Sequence, residues 1–310
     1  MLLVTGATGY LGAETVALLV ERGHAVRAVV RDPSRADVLP PQVERVAADL
    51  ADAESLARAM DGCDGVFHLA AAVGAPGPEA RELNVGGTER VVAAARRAGV
   101  ARLVHTSTSA AVLARDEAGA AVVTEDAAPG TILTDTYSTT KADAEQVVLD
   151  AAAGGDVEAV VATVVNIYGP SPRGPQSYNI LLAAAARGEV PAIVDSPVGW
   201  TLARDVAEGH LLAFERGTSG RRYLLCGEVA GFGRVLDTYC ELVGSPHRVR
   251  RLAMGEDLPP DPPPFAVRSE VYGHVGGYRV EDREARALDF APRGLDAGLA
   301  VTAGWLPHQR

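Results

Sequence analysis

The chain has 310 residues, 47% of them hydrophobic and 22% charged, and a formal net charge of −11 at pH 7. That balance describes an ordinary globular protein of one large domain or two small ones, and excludes disorder, collagen and coiled coil for the chain as a whole. The acidic excess argues against a general nucleic-acid binder, and no apolar run reaches the ~18 residues of a membrane helix.

Taken in chain order, short β-branched runs alternate with stretches of helical spacing. Leu2–Thr5 reads as a strand that runs straight into a Gly-rich turn, which leaves no room for a leader. Leu11–Glu21 reads as a helix ended by Gly23, and Ala25–Val30 as a strand. A third strand precedes Asp49, and Ala53–Met60 is a helix with Asp52 as its N-cap. Gly65–Leu69, Ala101–Thr106 and Glu158–Val165 are further strands, separated by helices over Arg81–Arg97 and Tyr137–Ala153. Units of this kind build a parallel sheet with helices on both faces, and ligands bind at the carboxyl ends of its strands. After Tyr168 the pattern breaks at Gly169-Pro170-Ser171-Pro172-Arg173-Gly174-Pro175. Ile180–Arg187 and Asp205–Arg216 then read as helices, Ala192–Val194 and Arg222–Cys226 as strands, and Pro259–Pro264 as a stiff extended loop. The expected fold is α/β. Residues 1–168 would form a doubly wound dinucleotide-binding domain. Residues 169–310 would form a smaller substrate-binding region, with a segment near 192–226 returning to the sheet.

The turn after the first strand carries glycines at Gly6, Gly9 and Gly12, interleaved with Thr8, Tyr10 and Leu11. Small residues let the backbone approach a pyrophosphate, and the following helix offers it free N–H groups and a positive dipole end. At the end of the second strand an acidic residue would grip a ribose 2′-hydroxyl. Here Val30 holds that place and Arg31 follows, a guanidinium suited to a 2′-phosphate, with Asp32 beside it. The expectation is therefore NADP(H), with NAD(H) possible. Asp49 and Leu50 would hold the adenine edge. Leu69, Ala70 and Ala71 are small enough to let the nicotinamide ribose lie close, and His68 is a packed strand residue.

Lys and Arg together number 29, of which Lys141 is the only lysine. Tyr137 lies four positions before it, on one helix face. A lysine there can bond ribose hydroxyls and lower the phenol's pKa toward working pH, so that the tyrosine exchanges a proton with a carbonyl oxygen. The Thr106-Ser107-Thr108-Ser109 run should add a hydroxyl that polarises the same oxygen. Cys63, Cys226 and Cys240 show no metal-ligand spacing. Reduced thiols, no metal centre and a cytoplasmic location are expected.

These motifs resemble the extended short-chain dehydrogenases/reductases, of the NAD-dependent epimerase/dehydratase type, over nearly the whole chain. The resemblance rests on the run from Thr5 to Gly12, His68-Leu69-Ala70-Ala71, Asn84-Val85-Gly86-Gly87-Thr88 and the Thr/Ser cluster. It continues through Tyr137 and Lys141, Asn166-Ile167-Tyr168-Gly169-Pro170 and the run from Arg204 to His210. It implies a Rossmann domain and a Ser/Thr–Tyr–Lys triad of Thr108 (or Ser109 after a shift of one), Tyr137 and Lys141. Thr106, Val164 and Asn166 would join the cofactor side, and two long helices would build a homodimer. Val26–Pro33 resembles the NADPH-preferring dihydroflavonol-reductase branch, which reduces ketones and aldehydes. Where the family carries Arg-Pro before the Asn this chain has Thr163 and Val164, so the ring should sit differently. A nucleotide-sugar epimerase with tightly held NAD and a non-catalytic nucleotide sensor are the alternatives. The residues after the triad hydroxyl, lacking Val-Tyr-Gly and an Asp-Glu pair, argue against epimerases and 4,6-dehydratases.

Overall fold

The computed structural model describes residues 1–128 and 130–309. Seven parallel strands form the central sheet: β1 Leu2–Thr5, β2 Val26–Val30, β3 Glu44–Ala47, β4 Gly65–His68, β5 Arg102–Thr108, β6 Glu158–Val164 and β7 Arg222–Leu225. Their spatial order is β3-β2-β1-β4-β5-β6-β7. The chain reverses its direction of winding between β1 and β4, the crevice where such sheets take their ligands. This is a Rossmann fold.

Strand alternation sorts the side chains onto two faces. Leu3, Val29, Val66, Leu103, Ala159 and Val161 pack against helices α2 Ala53–Met60, α3 Gly87–Ala98 and α4 Thr136–Ala153. Leu2, Val4, Ala28, Val30, Val104, Val160 and Ala162 face the other way, onto α1 Tyr10–Glu21. Helices α5 Tyr178–Ala186 and α6 Ala203–Arg216 follow in the chain, and α6 lies beside α1 on that second face. Asp52 does cap α2, accepting from the Glu54 and Ser55 N–H groups. The long helix expected over Arg81–Arg97 is interrupted. A wide π turn over Glu82–Gly86 precedes α3, and the Asn84 side chain there is tied to both the N–H and the carbonyl of Ala72.

The rest of the chain builds a second core around Trp200, Tyr178, Phe232, Tyr239 and Tyr272. Of the segment 192–226, only β7 joins the central sheet. Ala192–Val194 pairs with Arg250–Leu252, and Pro197–Leu202 lies between Asn166–Tyr168 and Glu228–Gly231. Helices α7 Phe232–Leu242 and α8 Val267–His274 complete this region, with Leu295–Trp305 near the end of the chain. The Pro-rich loop is bent rather than simply extended, with φ of +55° at Asp261 and +68° at Phe265. Buried side chains clasp β7 to its neighbours. Arg222 on β7 forms a buried ion pair with Glu145 on α4. The Glu125 carboxylate accepts from the N–H groups of Leu224 and Ala285 at 2.8 Å each.

Candidate active site

β1 ends in a turn at Gly6 with φ of +71°, a left-handed conformation that glycine adopts without cost. A Cβ there would stand 2.6 Å from the Ala70 nitrogen at the end of β4, and one at Gly12 would collide with the Gly6 carbonyl. The turn is packed backbone to backbone. Gly9 caps α1 without any side-chain hydrogen bond, so the first N–H groups of the helix remain available at its positive end. Partly exposed Thr8 and Leu11 rim the turn. This cradle fits a dinucleotide pyrophosphate.

The Tyr10 side chain points away from the turn's open face into packing. Its hydroxyl donates to the Gly169 carbonyl at 2.7 Å and accepts from Asn179 Nδ2 at 3.0 Å, while Ser171 Oγ donates to the Tyr10 carbonyl. Burial raises the phenol far above its ordinary range. The side chain pins the breaker-rich segment to the glycine turn, and only the Tyr10 backbone is left for a nucleotide.

Arg31 is exposed at the end of β2. Asp32 does not neutralise it, because its Oδ1 accepts from Ser34 N at 3.0 Å and from Ser34 Oγ at 2.7 Å, opening a 3-10 turn over Pro33–Val38. Those bonds also hold the Asp32 carboxyl below its usual range. Among the described residues no ion pair engages Arg31. Arg35 in the same turn has a buried Nε with no partner, a second cation that sequence reasoning missed. Asp49 accepts from Ala51 N at 2.9 Å, and Leu50 lies against Gly87. Leu69 and Ala70 are half-buried and Ala71 is exposed at the end of β4.

Behind this edge runs a buried hydrogen-bonded chain. Thr88 Oγ1 donates to the Asn84 carbonyl at 2.6 Å, so its oxygen accepts from His68 Nε2 at 3.1 Å. His68 Nδ1 in turn accepts from Thr5 Oγ1 at 2.7 Å. Burial, then the nearby Lys141, keeps this imidazole neutral by lowering its pKa to about 3. Asn84 Nδ2 extends the chain to Thr140 Oγ1 on α4 at 3.0 Å. His68 is thus a packed, fully bonded strand residue.

The α4 N-terminus carries the chemistry. Asp135 caps it, accepting from Ser138 N at 3.2 Å and from Ser138 Oγ at 2.6 Å. Lys141, one turn beyond Tyr137, is buried. Its ammonium donates to the Thr106 carbonyl at 2.7 Å and approaches His105 Nε2 at 3.4 Å. Burial lowers its pKa to about 8, against the opposing charge of Glu145. The Thr106 hydroxyl is turned to the opposite face of the sheet and bonded to His210 Nε2 on α6 at 2.8 Å. Only the Thr106 carbonyl addresses the site.

Tyr137 is half-buried, and Thr108 at the end of β5 lies close enough to act on its hydroxyl. Ser109 is turned away, its Oγ 3.3 Å from the Tyr278 hydroxyl. Burial raises the Tyr137 phenol's pKa, with Thr108 and then Arg268 acting in the other direction. The Arg268 guanidinium stands over the Tyr137 ring, 5.8 Å from its centre, and is held by Asp135 through two 3.2 Å bonds. Sequence spacing could not reveal this residue, because it lies 133 positions from its partner. Val164 is the register neighbour of Thr108, and the buried Asn166 carries an unpartnered Nδ2. The structure therefore gathers Gly6, Ala70, the Thr106 carbonyl, Thr108, Tyr137, Lys141 and Val164 along the carboxyl edge of β1, β4, β5 and β6. Arg31, Asp49 and Leu50 lie further out, beyond β2 and β3.

The family model described as NAD dependent epimerase/dehydratase family matches residues 2–226. The chain belongs to that family. It is an NAD(P)-dependent oxidoreductase of the extended short-chain type. It is 36% identical to the sterol demethylase protein B of Methylococcus capsulatus, over 98% of this chain and 97% of that protein. A putative dihydroflavonol 4-reductase of Synechocystis sp. is 35% identical over 78% of this chain and 72% of its own length. Among solved structures, gox2253 superposes with a TM-score of 0.83 at 28% identity, covering 99% of this chain and 98% of that one. MoeE5 in complex with UDP-glucuronic acid and NAD gives 0.75 at 28%, with 98% of both chains covered.

Proposed function

We propose that this family member reduces a ketone or aldehyde on a small or medium organic substrate, with NADPH preferred over NADH. The observation that carries the reading is the Tyr137 hydroxyl beside Thr108, with buried Lys141 one helical turn behind it. A bound nicotinamide dinucleotide supplies a hydride. The glycine turn and the N-terminus of α1 hold its pyrophosphate, Arg31 meets its 2′-phosphate, and Lys141 is the ribose ligand. Thr108 holds the substrate oxygen and Tyr137 delivers the proton that turns it into a hydroxyl. Relatives named as cinnamoyl-CoA reductases and as a putative dihydroflavonol 4-reductase support carbonyl reduction. A homodimer through α3 and α4 belongs to the same reading.

The test is turnover of a carbonyl panel with NADPH, in wild type and in Tyr137→Phe. The variant should lose about 100-fold or more of the rate, the range typical of a missing general acid, with NADPH binding unchanged. Wild-type turnover in Tyr137→Phe sinks the reading. The likeness to MoeE5 bound to a UDP-sugar and NAD supports a second reading, an epimerase. Protein that purifies with stoichiometric NAD and shows no net cofactor turnover would favour it.

A further inference from the structure

Arg268 belongs to α8, a helix of the C-terminal region, yet its charged end lies over the ring of the tyrosine at the other end of the site. Two observations fix it there. Asp135 grips both terminal nitrogens of the guanidinium at 3.2 Å, and Asp135 is itself fixed as the cap of α4. The approach of α8 is also set by backbone strain. Phe265, immediately before the Ala266 that caps α8, has φ of +68°, and Ser177, immediately before α5, has φ of +55° and ψ of −139°. Neither is glycine, and such conformations persist only where the surroundings enforce them. The two strained entries meet, because the Phe265 ring packs on Tyr178, the first residue of α5, with ring centres 5.3 Å apart.

We propose that Arg268 is a positioning residue for Tyr137, a cation carried by the substrate-side region that seats the phenol and favours its ionised form, with Asp135 holding it in place and tempering its charge. This rests on the reading of Tyr137 as the proton donor. Lys141 is committed to the Thr106 carbonyl, one turn away, and Arg268 is the guanidinium over the ring. The other groups around the phenol are Asp135 and Lys141 on its own helix, Thr108 from β5, Tyr178 from α5 and Tyr272 from α8. The two tyrosines are held neutral by burial, Tyr272 with its pKa pushed up to about 12. Arg268 over the ring and the Asp135 that grips it thus act on the phenol with opposite sign.

The sign follows from the charges. Loss of the cation raises the phenol's pKa, and loss of the carboxylate lowers it. The pH profile of carbonyl reduction should therefore shift up by about one unit in Arg268→Gln, the low end for a neighbouring charge. It should shift down in Asp135→Asn, whose amide oxygen keeps the helix cap and still accepts from the guanidinium, so that only the negative charge is lost, and return close to wild type in Arg268→Lys. In parallel, phenolate absorbance is titrated in each variant with and without Tyr137→Phe, so that the difference isolates this phenol among the chain's eight tyrosines. Shifts of Arg268→Gln and Asp135→Asn in the same direction, or no shift in either, overturn the proposal. If wild type reduces no carbonyl, the functional reading falls, while the phenolate titration still decides the role of Arg268. If Arg268→Gln does not fold, Arg268→Lys and Asp135→Asn carry the same test.

Discussion

At the carboxyl end of β1 the decisive contacts are between backbones. Gly6 lies against Ala70, and Gly12 lies against Gly6 with no room for a methyl group. At the carboxyl end of β5 they are between side chains that travel far. Arg268 reaches Asp135 across 133 positions. The first arrangement rests mainly on glycines within seven consecutive residues, Gly6 to Gly12, and the second is assembled from distant pieces of chain.

The contrast can be broken from either side. The largest effect is expected at the clasp. Arg222→Leu leaves Glu145 charged, buried and unpaired, and should cost about 3–5 kcal/mol. Arg222→Leu combined with Glu145→Leu should recover much of that loss, as urea midpoints would show. Equal destabilisation in the single and double variants would mean that the bonds Arg222 makes, and not the stranded charge, carry the stability. Next comes Gly12→Ala. Its methyl would meet backbone, so the turn must shift, at about 1–3 kcal/mol by the usual scale of overpacking. Nucleotide affinity should fall with it, by tenfold or more on titration, and unchanged affinity would show that the turn is not the cradle. The smallest effect belongs to Arg31→Gln. Losing one charge-assisted bond to a 2′-phosphate should erase about tenfold of NADPH preference while leaving NADH binding as it was.

The nucleotide side was legible in the sequence because its rules are local. A glycine that must turn left-handed, a helix start without a capping side chain and an Asp at an N-cap each declare themselves within a few residues. Lys141 stood out through composition alone. What the Tyr10 side chain does could not be read, because a residue inside such a motif can spend its side chain on packing, here on Gly169 and Asn179. The pairing of Lys141 with the Thr106 carbonyl was also hidden, since helical spacing sets a side chain's face but not its partner. Beyond Val165 the helices near Ile180–Arg187 and Asp205–Arg216 and the strands Ala192–Val194 and Arg222–Cys226 could be read, but not what they pair with. Strands such as Asn166–Tyr168 and Arg250–Leu252 are three residues long and find their partners dozens of positions away. Helix α8 follows a run of prolines whose bends at Asp261 and Phe265 no propensity suggests.

The isolation of Lys141 has a practical side. On this chain an amine-directed reagent meets a single lysine side chain, and in the folded protein that amine is buried against Thr106 and His105. Acylation of Lys141 therefore reads out how often the interior beneath the reacting groups opens to solvent. The protein carries a built-in chemical gauge of its own breathing, placed where a bound nucleotide would quiet it.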